Sequence, residues 1–391
     1  MGASPAQTRE CFGTCTDSAR VGRARSLRRS PVSIVGGLDI HRQQVTFDYL
    51  DTVTGEVSRG QIPAADRRQV AMWLRRRFGD PQDRADDADD VGGGAGIEGI
   101  EFALEGCTGW RYVAEELAAA GVVAHLADPA ETANLRGRRK RAKTDRADAR
   151  HLRELVMAGR LPGCWIPPEQ VLEARALLQV YQDLRQDHTA WVQRVHAVLF
   201  HQGAAPCHAL GTAAGRERLA RVAREQLSPA GQAQVRAGVL MLEATEAQLE
   251  ILHRQLLATA RHMQGPRVLI ERLYGVGPVT GLALTAWLGG AGRFSSARKA
   301  VRFAGLDVTV YSSAGKRSPG RLSRQGPAVL RWCLFEAGKS HARPSAPDYA
   351  YYAAVKQKID GKRAALSEAR KIVRQAVHIL DDLGDEAFAL V

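Results

Sequence analysis

Apolar positions change their period several times along this chain, and each change marks an element. Residues 32–40, VSIVGGLDI, form a short apolar run rich in β-branched side chains, and residues 44–51, QVTFDYLD, alternate apolar and polar. Residues 55–62, GEVSRGQI, follow a turn at Thr54-Gly55. Short runs of this kind, bounded by turn residues, predict three strands in hairpin order. Val70, Trp73, Leu74 and Phe78 then recur at helical spacing within residues 65–78. Residues 79–96 read as a loop by composition, and the aspartates within it as solvated. A buried-type strand follows at 96–106, a helix at 109–121 ending on Gly121, a strand at 122–128 and a helix from Asp145 to Met157.

The next hundred residues differ. Residues 171–200 and 233–263 are two long amphipathic stretches without a breaker, and Leu172, Leu177, Leu184, Trp191, Val195 and Val198 fall near one face of the first. Helices of about 30 residues reach about 45 Å. They predict an antiparallel arm, a dimerising coiled coil or a plain helical bundle. From about residue 266 the chain is helical with glycine turns. It then passes through a Ser-, Gly- and Arg-rich segment into helices from about Ala328 and from Lys362 to Leu383.

The fold class expected is α/β plus α. A basic, disordered arm covers residues 1–30, and an α/β domain covers 31–165 with the element order βββ-α-β-α-β-α of a ribonuclease-H-like domain. A long helical, coiled-coil-like arm for oligomerisation covers 166–265, and a mostly helical domain covers 266–391. No apolar run reaches the ~18 residues of a membrane span, and no secretory leader pattern opens the chain. A soluble, cytoplasmic protein is expected.

Charge narrows the partners. The 391 residues carry 55 Lys and Arg against 42 Asp and Glu, a net charge of +13. Forty-six of the basic residues are Arg. A GC-rich genome accounts for that ratio but not for the excess of base over acid. Such an excess favours an anionic polymer, most simply nucleic acid. The six cysteines are scattered, and Cys11 and Cys15 lack the second pair a structural zinc site needs.

Between Arg136 and Arg150 stand eight basic residues and only two acids, Asp145 and Asp148. These acids are neighbours on one helix face. Asp39 ends one predicted strand and Glu105 another. Four carboxylates from three elements would repel one another unless a cation sat among them, and oxygen-rich sites suit Mg²⁺. Two such ions a few ångströms apart serve in-line phosphoryl transfer in nucleases and polymerases. Ion pairing of Asp145 and Asp148 within a basic helix, and strand-end turns at Asp39 and Glu105, are the plainer alternatives. Arg136, Arg138, Arg139, Lys140, Arg141 and Lys143 would then hold a phosphate backbone. Gly275 and Gly277, in YGVGPVTG, fit either a helix-hairpin-helix phosphate site or a tight turn between packed helices. Ser312 and Ser313 precede Lys316, Arg317, Arg321 and Arg324; from the residues alone this is a phosphate-binding loop.

The motifs GLDIH, ALEGCTGW and KTDRADAR, together with the stretch from LYGVGPVTG to GRLSRQGPAVLRWCLFEA, resemble the IS-one-ten insertion-sequence family of transposases, which includes the Piv-type invertases. The resemblance covers about residues 31–380. It implies a RuvC-like first domain with Mg²⁺ on Asp39, Glu105, Asp145 and Asp148. It implies a catalytic serine that attacks DNA and forms a covalent phosphoserine link. Counting back from Gly320 places that serine at Ser313, with Ser312 the competitor because Ala314 stands before Gly315. It further implies donor and target DNA as partners, a structured noncoding guide RNA, and a homodimer or homotetramer that joins one subunit's acids to another's serine. A RuvC-like nuclease using water, and a non-catalytic nucleic-acid-binding protein, are the rival functions.

Overall fold

A computed structural model of the chain describes residues 33–79, 99–136, 144–309, 311–313, 316–318 and 320–391. The N-terminal basic arm, Cys11, Cys15 and the aspartate-rich loop lie outside the described residues, apart from Gly79 at the edge of that loop. Two compact units are present, residues 1–166 with 292–299 and residues 167–291 with 300–391.

The first unit is built on a mixed six-stranded sheet in the order β3-β2-β1-β4-β5-β6. The strands are β1 (Ile34–Ile40), β2 (Gln44–Asp51), β3 (Val57–Pro63), β4 (Ile100–Glu105), β5 (Val123–Ala127) and β6 (Gly163–Cys164). β1, β4 and β5 run parallel, while β2, β3 and β6 are antiparallel to their neighbours. Successive strand residues face opposite sides of a sheet, which gives it two unlike faces.

On one face Phe47, Tyr49 and Phe102 meet Trp73 and Phe78 of helix α1 (Arg67–Phe78). The Phe47 and Trp73 ring centroids lie 4.9 Å apart. Helix α2 (Trp110–Ala119) follows β4 and buries Trp110, Val113, Ala114 and Leu117. On the other face lies helix α4 (Asp145–Met157), whose Leu152 packs with Ala103 and Ala127. A short helix, α3 (Pro129–Leu135), precedes it, capped by the Asp128 side chain on Ala130 and Glu131 N–H.

The second unit is helical. Helices α5 (Glu169–His201) and α7 (Pro229–His262) pair antiparallel along their length. Tyr181 stacks on His253, His188 Nε2 lies 3.1 Å from Glu246 Oε1, and a Cβ on Gly238 would press on Val195. The seam on α5 is Val171, Ala174, Leu178, Tyr181, Val195 and Leu199. Leu178 rather than Leu177 is its buried leucine, because Ala174 and Tyr181 share the seam and shift the face by one position. Helix α6 (Ala213–Gln226) closes the far end, setting Leu219 and Val222 against Val195, Leu199, Val235 and Leu242. The two long helices thus pair within one chain, while Val180 and Phe200 on α5 and Leu240, Met241 and Ile251 on α7 stay exposed.

Beyond them come α8 (Gln264–Arg272), the uncharged α9 (Pro278–Leu288) and α10 (Ala297–Phe303). A hairpin of β7 (Tyr311–Ser313) and β8 (Lys316–Ser318) leads to α11 (Ala328–Ser340), α12 (Tyr349–Lys358) and α13 (Gly361–Leu383). Gly338 lets α11 approach α13, since a Cβ there would lie 2.2 Å from Ala365 O. No helix among the described residues is long and apolar enough to cross a membrane.

Candidate active site

Asp39 stands near the C-terminal end of β1 and Glu105 is the last residue of β4, its parallel neighbour. Strand alternation places Asp39 with Gly37, and Glu105 with Ala103, on the α4 face of the sheet. Gly37 makes the arrangement possible: a Cβ there would lie 2.1 Å from Ala149 O of α4. A second device sets the helix angle. The buried Arg153 of α4 brings Nε to 3.1 Å from Asp48 Oδ1 on β2, and Arg59 Nε reaches Asp48 Oδ2 at 2.7 Å. The N-terminus of α4 thus arrives beside the ends of β1 and β4.

Asp145 and Asp148 occupy the first turn of α4, which Thr144 caps through Ala147 N–H. Acids are favoured there, because the exposed N–H groups and the helix dipole present positive potential. Asp148 makes no ion pair along its own helix, where Arg150 pairs with Glu154. Its Oδ1 instead accepts from Arg136 Nη1, while Arg136 Nη2 lies 3.7 Å from Glu105 Oε1. Gln44 Nε2 donates to Asp145 Oδ2 at 3.2 Å. The structure so brings the acids of three elements together around one guanidinium.

Asp39 records the crowding. Burial, then the charges of Asp148 and Asp145, push its carboxyl up to about 6, against the lesser opposing pull of His41 and Arg136. A carboxyl so placed accepts a proton, or a cation, more readily than an isolated one. The donor set is oxygen alone, the chemistry that suits Mg²⁺. In oxygen chemistry the four acids suit such an ion, but no three of them bring ligand atoms within 4.8 Å of one another, so holding one would need their side chains to move.

The other residues singled out from sequence lie elsewhere. Arg138, Arg139, Lys140, Arg141 and Lys143 fall outside the described residues. Gly275 turns the chain between α8 and α9 at φ 80° and packs on α11, where a Cβ would lie 2.1 Å from Ser340 Oγ. Gly277 is the N-cap of α9, and a Cβ there would meet nothing within 4 Å. Ser313 pairs in register with Lys316, and Ser312 with Arg317, so each serine stands across the ladder from a basic residue. The ladder continues at Val308 and Leu322, and at Thr309, whose N–H donates to Arg321 O. Arg321 and Arg324 are exposed.

The sequence reading did not single out Gln44, the Arg136 bridge or a second group of ligating side chains. His341, Asp348 and Glu368 bring their ligand atoms within 4.8 Å of one another. His341 and Glu368 are buried, and His341 Nδ1 lies 3.8 Å from Glu368 Oε2. Burial raises the Glu368 carboxyl. Lys371 Nζ stands 3.5 Å from Glu368 and 3.6 Å from Asp348, where an ion would otherwise sit. Four residues spread over 31 positions leave no spacing that a sequence pattern would detect.

Residues 268–353 match the family model described as "Transposase IS116/IS110/IS902 family". The match takes in Gly275, Gly277, both serines and the basic residues from Lys316 to Arg324, and none of the four acids around Arg136. A stretch of 105 residues, 26% of this chain, is 30% identical to a Pseudomonas aeruginosa protein named "Probable family 20 transposase". The match spans 30% of that relative's length. Both likenesses point to a transposase, and the family model puts its IS116/IS110/IS902-type domain in residues 268–353.

Proposed function

We propose that the chain is a DNA transposase that cuts and exchanges strands through a covalent phosphoserine link. The observation that carries this reading is Arg136 bridging Glu105 and Asp148, with Asp39 and Asp145 beside them, in a chain whose residues 268–353 match a transposase model. A strand order of 3-2-1-4-5 with three parallel central strands supports a RuvC/RNase H-like first unit.

In this reading Asp39, Glu105, Asp145 and Asp148 hold Mg²⁺. The bound ion supplies Lewis-acid polarisation of a phosphate and a lowered pKa for the attacking hydroxyl. Ser313 Oγ forms a bond to phosphorus as a P–O bond to a deoxyribose oxygen breaks. The serine proton leaves, and the departing oxygen takes one up. Attack by another strand's oxygen reverses the step and frees the serine, with no external energy source. Arg321, Arg324, Lys316 and Arg317, and Arg138, Arg139, Lys140, Arg141 and Lys143, which precede Asp145 in sequence, neutralise the DNA backbone. A structured noncoding RNA selects the DNA, and the protein acts as a homodimer or homotetramer.

The test is to incubate protein, RNA from the flanks of the gene, substrate DNA and Mg²⁺, then denature. A protein–DNA adduct is expected, located at Ser313 by peptide mass, absent from Ser313→Ala although that variant still binds DNA. An adduct lost only in Ser312→Ala moves the nucleophile by one residue. Recombination by the double variant sinks the serine mechanism, and Mg²⁺-dependent cutting without any adduct favours a nuclease that uses water.

A further inference from the structure

We infer that Arg136 is a displaceable stand-in for the metal: its guanidinium holds Asp148 and Glu105 in the metal-free protein and leaves when a divalent cation enters. This rests on the metal reading above and assigns a role to a residue that composition alone marks only as a phosphate ligand.

The argument is one of shared space and charge. Arg136 Nη1 donates to Asp148 Oδ1, and Nη2 stands 3.7 Å from Glu105 Oε1. The guanidinium therefore fills the gap between two of the four carboxylates. Mg²⁺ binds carboxylate oxygen at about 2.0–2.1 Å and demands near-octahedral geometry, so it needs that gap and the Asp148 lone pair. A guanidinium left beside it would add like-charge repulsion at close range. The contact to Glu105 is longer than a hydrogen bond, so little ties the second arm of the fork in place. About a third of the Arg136 side chain is open to solvent, which gives it a way out.

Arg136 is suited to leave. It ends α3 as the C-cap, and the basic run 137–143 follows it directly. Released from the acids, its fork is free to grip a phosphate bidentately. Metal entry and grip on the DNA backbone then assist each other: the ion frees a cation for the phosphate, and the phosphate holds it away from the ion's site. Such linkage is reciprocal, so DNA must tighten metal binding by the factor by which metal tightens DNA binding.

The experiment titrates the full-length protein with Mn²⁺ by calorimetry, alone and with a short DNA duplex. Arg136→Gln is expected to bind Mn²⁺ on the order of fivefold more tightly than the unaltered chain, since a competing charge-assisted contact is gone. In the unaltered chain the duplex should raise Mn²⁺ affinity, and in Arg136→Gln that gain should shrink. Equal or weaker Mn²⁺ affinity in Arg136→Gln, with Asp148→Ala still abolishing it, overturns the stand-in role and leaves the metal site intact. Absence of Mn²⁺ binding in every variant, or equal binding by Asp148→Ala, overturns the metal reading itself. Circular dichroism checks the fold. If Arg136→Gln does not fold, Arg136→Lys replaces it, keeping a cation without the fork; affinity above the unaltered chain supports the inference, and equal or lower affinity overturns it.

Discussion

Two carboxylate groups in this chain are each held by a basic side chain, and they differ in charge balance. Around Arg136 two acids, Glu105 and Asp148, share one guanidinium at the rim of the sheet and keep partial access to water, while the charges of Asp145 and Asp148 reach Asp39. Between α11, α12 and α13, two acids share Lys371 and a histidine, and Glu368 is sealed from solvent. In the first group burial, then the neighbouring charges of Asp148 and Asp145, push the Asp39 carboxyl up to about 6. The second is balanced by its lysine and, when protonated, by His341. Similar ligand types therefore serve opposite ends: a cluster left in charge deficit calls for an ion, and one that is neutralised fastens helices together.

The largest expected effect lies in the first group. If the proposed function holds, Asp39→Ala, Glu105→Ala, Asp145→Ala and Asp148→Ala should each lower strand exchange by on the order of a thousandfold or more, since each would remove a ligand of the proposed ion. Gel-shift affinity for nucleic acid should hold. Normal recombination by all four would break the comparison. Glu368→Gln, by contrast, should leave exchange per folded molecule near that of the unaltered chain.

Stability comes next. Glu368→Ala takes one of two carboxylates from Lys371 and the carboxylate partner from the buried His341, at a cost of about 2–3 kcal/mol in denaturant unfolding. If the acids around Arg136 hold the ion, Mg²⁺ should raise the melting temperatures of the unaltered chain and of Glu368→Gln alike, and should not raise that of Asp148→Ala. If Mg²⁺ instead acts through Glu368, the roles of the two groups are reversed.

The smallest effect is in pH. The Asp39 carboxyl titrates near 6 in the folded chain against 3.8 as its ordinary value. Its proton therefore contributes stability that is complete below about 3.8 and is lost as pH rises through about 6. After discounting for solvent screening, this is worth about 1 kcal/mol. Metal-free melting temperatures between pH 5 and 7 should fall less in Asp39→Asn than in the unaltered chain, and saturating Mg²⁺ should remove the difference. Identical pH profiles would show that Asp39 is not crowded.

Much of the first unit was legible because its signals are local. Period two marked β2, short apolar runs and turn residues marked the other strands from β1 to β5, and the helix read from Asp145 to Met157 is α4. Helix α3 escaped notice although Asp128-Pro129 is a helix start, because seven residues give no apolar period. Helix α6 escaped because Arg and Ala dominate it, and the hairpin of β7 and β8 because Ser, Gly and Arg read as loop. The acids could be named, each at a strand end or a helix start. Their arginine could not, since Arg136 looks like any other member of a basic run. What separates it is a contact twelve residues away on another helix and one across to β4.

Residues 292–299 belong to the first unit although residues 167–291 intervene. Within that unit, the Arg293 guanidinium lies 4.8 Å from the Trp165 ring centre. A ribosome adding roughly 5–20 residues per second needs on the order of ten seconds to make the intervening stretch. Through that interval the sheet must wait with Trp165 lacking its arginine. Synthesis order thus imposes a delay on the N-terminal unit, and a chain terminated inside the long helices would never receive its last piece.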